Sequence, residues 1–382
     1  MLPSTSIDDL LRKKLQQRED AGLLRQLRIA EGKVDFCSND YLGLSRSSEL
    51  RDRIKEAEGQ EGGSIGSTGS RLLSGHSRYS ETLEAFIAQF HESESSLLFN
   101  SGYDANLGLF SSLGRVSHTI VFDELIHASV HDGMRLSKAV CIPFRHNDPS
   151  HLSEVLSGIE GNAIVAVESI YSMDGDACDL RAMVDVCDRH GASLIVDEAH
   201  AVGIFGEQGR GLVHQLGLQH RVFARLVTFG KALGCHGAAV LCGDVLKQYL
   251  INYARPVIYS TFTSNHALLT VKCAYDMLSV VDDKRQHTSV MIRLLKSELS
   301  LLESVRLIPS DSTVQALVVP GAARCRAVAQ KVWDDGFDIR PIVSPTVPRG
   351  SERIRICLHA FNSETEIRAL SQSLRKALGE CV

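Results

Sequence analysis

The chain has 382 residues, enough for two or three domains. With 44% apolar and 23% charged residues it has the make-up of a soluble globular protein. Its net charge of −5 gives no basic field for nucleic acid or for an anionic membrane surface. No run of about 20 apolar residues could span a bilayer, and Met1 to Asp9 lacks the basic and apolar regions of a secretory signal. Ten scattered cysteines without a CxxC pair suit reduced thiols and a cytoplasmic setting.

Ile7, Leu10, Leu11, Leu15 and Leu24 fall near helical spacing among basic residues, which predicts an amphipathic helix over 7–24. Asp35 to Leu44 reads as a short strand and a loop. Gly62 to Ser70 is a Gly/Ser-rich flexible loop without the G-x-G-x-x-G spacing of a dinucleotide site. A helix follows near residue 80, with Leu83, Phe86, Ile87 and Phe90 as its buried stripe and Glu81 and Glu84 at its positive end. From about 97 to 245 apolar runs alternate with helical patterns. Ala163–Val167, Ser193–Val196, Leu226–Val227 and Ala238–Leu241 read as buried strands. Leu180, Met183, Val184 and Cys187 mark a helix between Asp179, a candidate N-cap, and Gly191, a stop signal. This alternation predicts an α/β protein with a mostly parallel sheet between helices. After about 280 the rhythm becomes α+β. A last strand is expected at Ile354–Leu358, and a last helix from Ser363 with Glu366 in a capping box. The expected divisions are an N-terminal helix and arm (1–42), a large domain (43–280) and a small C-terminal α+β domain (281–382).

Two apolar runs end in reactive groups. Ile195-Val-Asp-Glu-Ala-His200 places Asp197 at the end of a strand, where open α/β sheets hold their ligands. Leu226-Val-Thr-Phe-Gly-Lys-Ala-Leu-Gly234 places Lys231 just beyond another. An amine and a carboxylate so placed are what pyridoxal 5'-phosphate requires: one for its aldehyde, one for its ring nitrogen. A P-loop reading of Gly230-Lys231 fails, because Arg225 stands where a glycine is needed and Ala232 where Ser or Thr is needed. Ser101-Gly102-Tyr103 after an apolar run offers a helix N-terminus for a phosphate, and Thr228 a further hydroxyl. His127 could stack on a flat ring. His127 and His131 have the spacing of a zinc-binding helix face, but no H-E-x-x-H carboxylate lies between them, and Cys235-His236 has no second metal-spaced pair. No metal is expected.

These segments, together with Asn39-Asp-Tyr-Leu-Gly43, Arg71-Leu-Leu-Ser-Gly75, Ser172-Met-Asp-Gly-Asp176, Gly206-Glu-Gln-Gly-Arg-Gly211 and Pro345-Thr-Val-Pro348, resemble the α-oxoamine synthases over almost the whole chain. The resemblance implies a fold-type I pyridoxal-phosphate enzyme with a large domain around a seven-stranded-type sheet and a smaller C-terminal domain. It implies condensation of an amino acid with an acyl thioester and loss of CO2. The strings at 71–75, 172–176, 206–211 and 345–348 point to the branch that joins L-alanine to a pimeloyl thioester, on CoA or acyl carrier protein, in biotin biosynthesis. A sister enzyme such as 2-amino-3-ketobutyrate CoA ligase is the alternative. By resemblance Lys231 forms the Schiff base and moves protons, Asp197 pairs with the ring nitrogen, His200 meets the ring oxygen and His127 stacks on the ring. Ser172, Thr228 and the Gly102–Tyr103 backbone bind the cofactor. Arg355, with Asn39 nearby, takes the amino-acid carboxylate, and Arg25 and Thr346 meet the acyl substrate. Ser260-Thr261 corresponds to a segment that reaches the neighbouring site of a homodimer. The chain departs from relatives at Ser80, where histidine is common, and at Phe262-Thr-Ser-Asn265, where two prolines are usual.

Overall fold

The computed structural model describes residues 6–61, 65–300 and 305–381. The first three residues of the expected Gly/Ser loop, 62–64, and the first five of the chain lie outside the described residues.

Seven strands form the central sheet: β2 (Ser95–Phe99), β3 (Thr119–Asp123), β4 (Val140–Phe144), β5 (Ala163–Glu168), β6 (Ser193–Asp197), β7 (Ala224–Thr228) and β8 (Ala238–Cys242). Their order is β2-β8-β7-β6-β5-β3-β4. All pairs are parallel except those of β8, which runs against both β2 and β7. The sequence predicts the four strands β5 to β8 but not this one reversal.

Period-two alternation explains why both faces are dry. Ile164 and Ala166 of β5 face one layer, with Leu109 and Phe110 of helix Gly102–Leu113 and Val130 and Met134 of helix Ala128–Leu136. Val165 and Val167 face the other, with Leu152 of helix Pro149–Ser157 and Met183 and Val184 of helix Leu180–His190. At the β8 end that second face is covered by helices Arg78–Phe90 and Asn265–Leu278 through Leu83, Ile87, Leu269 and Tyr275. Each such fully buried side chain stabilises the fold by about 1.5–3 kcal/mol relative to exposure. Helix caps agree with the sequence. Asp179 accepts from the Ala182 amide, Gly191 takes the left-handed C′ position, and Ser363 and Glu366 cap each other's amides.

A second, antiparallel sheet of order β12-β13-β10-β9 is built from β9 (Arg306–Leu307), β10 (Val314–Val318), β12 (Arg340–Ile342) and β13 (Arg353–Cys357). Helices Asp282–Leu299, Ala322–Asp334 and Glu364–Glu380 supply the rest of its core. The N-terminal arm joins this unit: β1 (Val34–Asp35) pairs with β11 (Phe337–Asp338), and Phe36 is fully buried in the same core.

Two expectations are corrected. The first helix spans Ile7–Asp20, not 7–24. Ala21 caps it and Gly22 turns left-handed (φ 63°), where an added Cβ would press on the Arg326 guanidinium. Its apolar stripe, Ile7, Leu10, Leu11 and Leu15, is exposed in the single chain. Glu84 is not at the positive end of its helix, which starts at Arg78 and has only Glu81 as an acid in its first turn. It is buried, pairs with Arg71 and with Lys247 (3.1 Å), and accepts the Leu98 amide (2.9 Å).

Candidate active site

Strands β5, β6 and β7 end side by side in Glu168, Asp197 and Thr228. Their C-terminal edge is therefore lined by two carboxylates and a hydroxyl. Asp197 is buried. Its Oδ1 accepts the Ala199 amide (2.9 Å) and its Oδ2 accepts the Asn106 amide nitrogen (2.8 Å). The same Nδ2 donates to Ser129 Oγ (3.0 Å), which lies 2.8 Å from His127 Nδ1. Asp197 and His127 are thus joined through Asn106 and Ser129. His127 caps helix Ala128–Leu136, its Nδ1 accepting the Ser129 amide (3.2 Å). Burial lowers its pKa, which favours the neutral ring, and because Nδ1 accepts the Ser129 amide the ring proton belongs on Nε2. His131 packs edge-on against Phe122.

Lys231 stands three residues beyond β7, on the return to β8. That return is closed by the Phe229 amide to Gly237 O (2.9 Å) and the Cys235 amide to Phe229 O (2.8 Å). Gly234 is left-handed there (φ 64°), and its missing Cβ leaves room for the backbone of Ser45. Burial pushes the Lys231 pKa down, against the attraction of Asp197 and Glu168. Burial and the Asp197 charge push Glu168 up, towards its neutral form.

On the opposite side a second chain of contacts runs through the small sheet. His200 Nδ1 lies 2.7 Å from the Tyr41 hydroxyl, which donates to Asn39 Oδ1 (3.0 Å). Asn39 Oδ1 also accepts Arg355 Nη2 (2.9 Å), and Arg355 Nε donates to Ser172 O (2.8 Å). The Ser172 amide in turn donates to Glu168 Oε2 (3.2 Å). Burial holds His200 well below the usual histidine range, so it too is neutral.

Ser101 caps helix Gly102–Leu113 through the Asp104 amide (3.0 Å). Gly102 lies against Thr228, whose atoms would sit 3.6 Å from an added Cβ. Thr228 Oγ1 donates to Gly237 O (3.2 Å). Tyr103 turns outward and its hydroxyl meets Asp132, so only its backbone faces this turn. Thr261 is exposed, and its carbonyl accepts Asn100 Nδ2 (2.8 Å). Arg25 and Thr346 line a cavity of about 910 Å³ that also holds Arg18, Arg28 and Arg340. Thr346 further belongs to a second cavity of about 440 Å³, with His127, Ser172 and Arg353.

The residues fit pyridoxal phosphate. Asn106 Oδ1, a buried acceptor, and Glu168 Oε1, a buried carboxyl oxygen, have no hydrogen-bond partner, the state a polar ring would relieve. The first turn of helix Gly102–Leu113 presents amide N–H groups suited to a phosphate. Among the described residues no cluster of His, Cys, Asp and Glu could hold a metal ion, and no helix is long and apolar enough to cross a membrane. Sequence reasoning missed Tyr41, Asn106 and Glu168 as site residues. Tyr41 lies inside the Asn39–Gly43 string and Glu168 ends the β5 run, so both carried a signal. Asn106 sits within an ordinary helical pattern and carried none.

The family model for aminotransferase class I and II matches residues 31–374. The 8-amino-7-oxononanoate synthase of Emericella nidulans is 41% identical, with 96% of this chain and 94% of that protein covered. Among solved structures, the serine palmitoyltransferase of Sphingomonas wittichii superposes with a TM-score of 0.90 at 26% identity, over 99% of both chains. That of S. paucimobilis with bound PLP-myriocin aldimine gives 0.87 at 26%, over 98% of both. A chain matched so fully belongs to the aminotransferase class I and II family and, within it, to the 8-amino-7-oxononanoate synthases.

Proposed function

We propose that this chain condenses L-alanine with a pimeloyl thioester, carried on CoA or acyl carrier protein, to give 8-amino-7-oxononanoate, CO2 and free thiol, with pyridoxal 5'-phosphate as cofactor. The observation that carries the reading is Asp197 at the end of β6 with buried Lys231 three residues beyond neighbouring β7, near enough for the carboxylate to oppose the fall in the lysine pKa. When bound, the cofactor supplies an electrophilic aldehyde and an electron-withdrawing ring.

The chain's own groups supply the rest. Burial keeps the Lys231 amine neutral at lower pH than a free lysine, so it can take the proton from the substrate α-carbon and return one later. Asp197 would set a fixed anion against the ring nitrogen, and Asn106 and the Ala199 amide keep it from turning away. Neutral His127 would cover the ring face and His200 would meet the ring oxygen. Thr228, Ser172 and the Gly102–Tyr103 backbone hold the periphery and the phosphate. Arg355, aimed by Asn39 and the Ser172 carbonyl, forks onto the substrate carboxylate until CO2 leaves. Arg25 and Thr346 guide the acyl thioester, and the arginine-rich lining of their cavity suits an anionic carrier.

A homodimer belongs to the same reading. The exposed stripe of helix Ile7–Asp20 is a face for a second copy, and exposed Thr261 is available to the neighbouring site. Sedimentation of an active monomer would remove this part of the proposal. The main test is mass spectrometry of products from L-alanine, glycine and L-serine with a panel of acyl thioesters. The expected product is 8-amino-7-oxononanoate from alanine; turnover with glycine alone would favour 2-amino-3-ketobutyrate CoA ligase chemistry instead.

A further inference from the structure

We infer that His146 is a positioning residue for the substrate site, an imidazolium that ties together the two loops bearing His127 and Ser172. The inference rests on the function proposed above.

His146 follows β4 and lies outside the groups that meet substrate or cofactor. Its Nδ1 is 2.9 Å and 3.1 Å from the two oxygens of Asp123, and its Nε2 is 2.9 Å from Asp176 Oδ2. A neutral imidazole has one N–H, whereas here each ring nitrogen faces a carboxylate. Only the doubly protonated ring satisfies both. Burial opposes that charge, but the two hydrogen bonds outweigh it and carry the pKa up to about 10. The ring is 23% exposed and Asp123 fully buried, so the pair is poorly screened by water. Beside them, Glu124 accepts the His146 amide (3.0 Å), the Tyr171 ring meets the imidazole edge-on at 4.5 Å, and the buried Cys178 thiol feels the charges of both Asp123 and Asp176.

What the two carboxylates hold gives the contact its meaning. Asp123 ends β3 and begins the segment that runs through Glu124, Leu125 and Ile126 to His127. Asp176 closes a tight loop, its carbonyl accepting the Tyr171 amide (3.0 Å) while the Gly175 amide donates to Tyr171 O (2.8 Å). Inside that loop Ser172 aims Arg355 (2.8 Å), and Asp174 pairs with Arg353. Both segments line the 440 Å³ cavity. One cation therefore fixes the spacing between the wall with His127 and the wall that orients Arg355. The neighbouring Asn147 repeats the link: its amide donates to Asp123 Oδ2 (2.8 Å) and its Nδ2 to Ala177 O (2.8 Å).

The test compares wild type with His146→Gln and Asp176→Asn, well below their melting temperatures. His146→Gln removes the charge and cannot donate to both carboxylates. It is expected to raise KM for L-alanine about tenfold while kcat falls less than about threefold, as misplacement of a binding group predicts. Amide hydrogen exchange in 169–178 is expected to quicken, with the cofactor's absorbance retained. Asp176→Asn keeps an acceptor without the charge and should shift both readouts in the same direction by less; it decides the matter if His146→Gln does not fold. An unchanged alanine KM, within about twofold, in a folded variant of wild-type melting behaviour or not, would overturn the inference. Failure of the wild type to turn over alanine and a pimeloyl thioester would instead overturn the function on which it rests.

Discussion

Asn106 Nδ2 stands 2.8 Å from Asp197 Oδ2 and 3.0 Å from Ser129 Oγ, so one amide group holds the carboxylate on one side and the support of His127 on the other. Both partners are buried. Asn106→Ala should therefore act on two parts of the site together. It leaves buried acceptors short of a donor, and the expected loss of stability is about 1–3 kcal/mol. Cofactor affinity should fall with it. Thermal melts with and without added pyridoxal phosphate measure both; a variant as stable as wild type in both would show that this amide is dispensable.

Lys231→Ala should reduce turnover by about a thousandfold or more, in line with loss of a nucleophile and general base. The fold should survive, because the return that carries Lys231 is closed by backbone bonds of Phe229, Gly234, Cys235 and Gly237. Steady-state assay and circular dichroism check the two halves; full activity would refute the assignment.

The pH profile follows from the Lys231 environment. Burial depresses its pKa, so the neutral base appears, and kcat should level off, below the usual lysine value of about 10.4. Asp197 pulls in the opposite direction. In Asp197→Asn the remaining activity, reduced about 10²–10³-fold by loss of the ring partner, should level off at still lower pH. A shift to higher pH would contradict the electrostatic reading.

Arg355→Lys retains the charge but not the planar fork that meets Asn39 and the Ser172 carbonyl at once. An increase of about 10–100-fold in KM for L-alanine is expected, with a smaller change for the acyl thioester. Equal effects on both substrates would argue that Arg355 orders the whole site rather than one carboxylate.

His146 also makes a stability prediction. Its folded-state pKa is raised to about 10, so its contribution is complete below the unfolded value of about 6.5 and is lost as pH rises through 10. The gap in Tm between wild type and His146→Gln should thus be widest near pH 6 and close towards pH 10. A gap that widens with pH would mean that Asp123 and Asp176 do not hold a cation.

Much of the site was legible because its chemistry interrupts apolar runs. Asp197 and Lys231 stand out where buried strands end, and the caps at Asp179, Gly191 and Ser363 follow local rules that tertiary packing leaves intact. What was illegible depends on contacts between distant segments. Asn106 looks like any polar residue of a helix until β6 is placed beside it. Glu84 reads in the sequence as an acid at a helix's positive end, yet the helix starts earlier, at Arg78, and Arg71, Lys247 and the Leu98 amide converge on the carboxylate. The expected helix to Leu24 fails for a local reason: apolar spacing continued past Ala21-Gly22, but the left-handed backbone of Gly22 ended the turn.

The reversed strand β8 has an implication for how such enzymes diversify. Because β7 and β8 are antiparallel neighbours, the Lys231 amine rides on a compact reversal rather than on a long crossover connection. The loops after β3 and β5, which shape the cavity beside Thr346, are covalently remote from it. Lengthening or recutting those loops can alter which substrates enter while the amine keeps its address. Laboratory efforts to retarget this scaffold should accordingly vary Leu125, Ile126 and Met173, keep His127, Ser172 and Asp176, and leave 229–237 untouched.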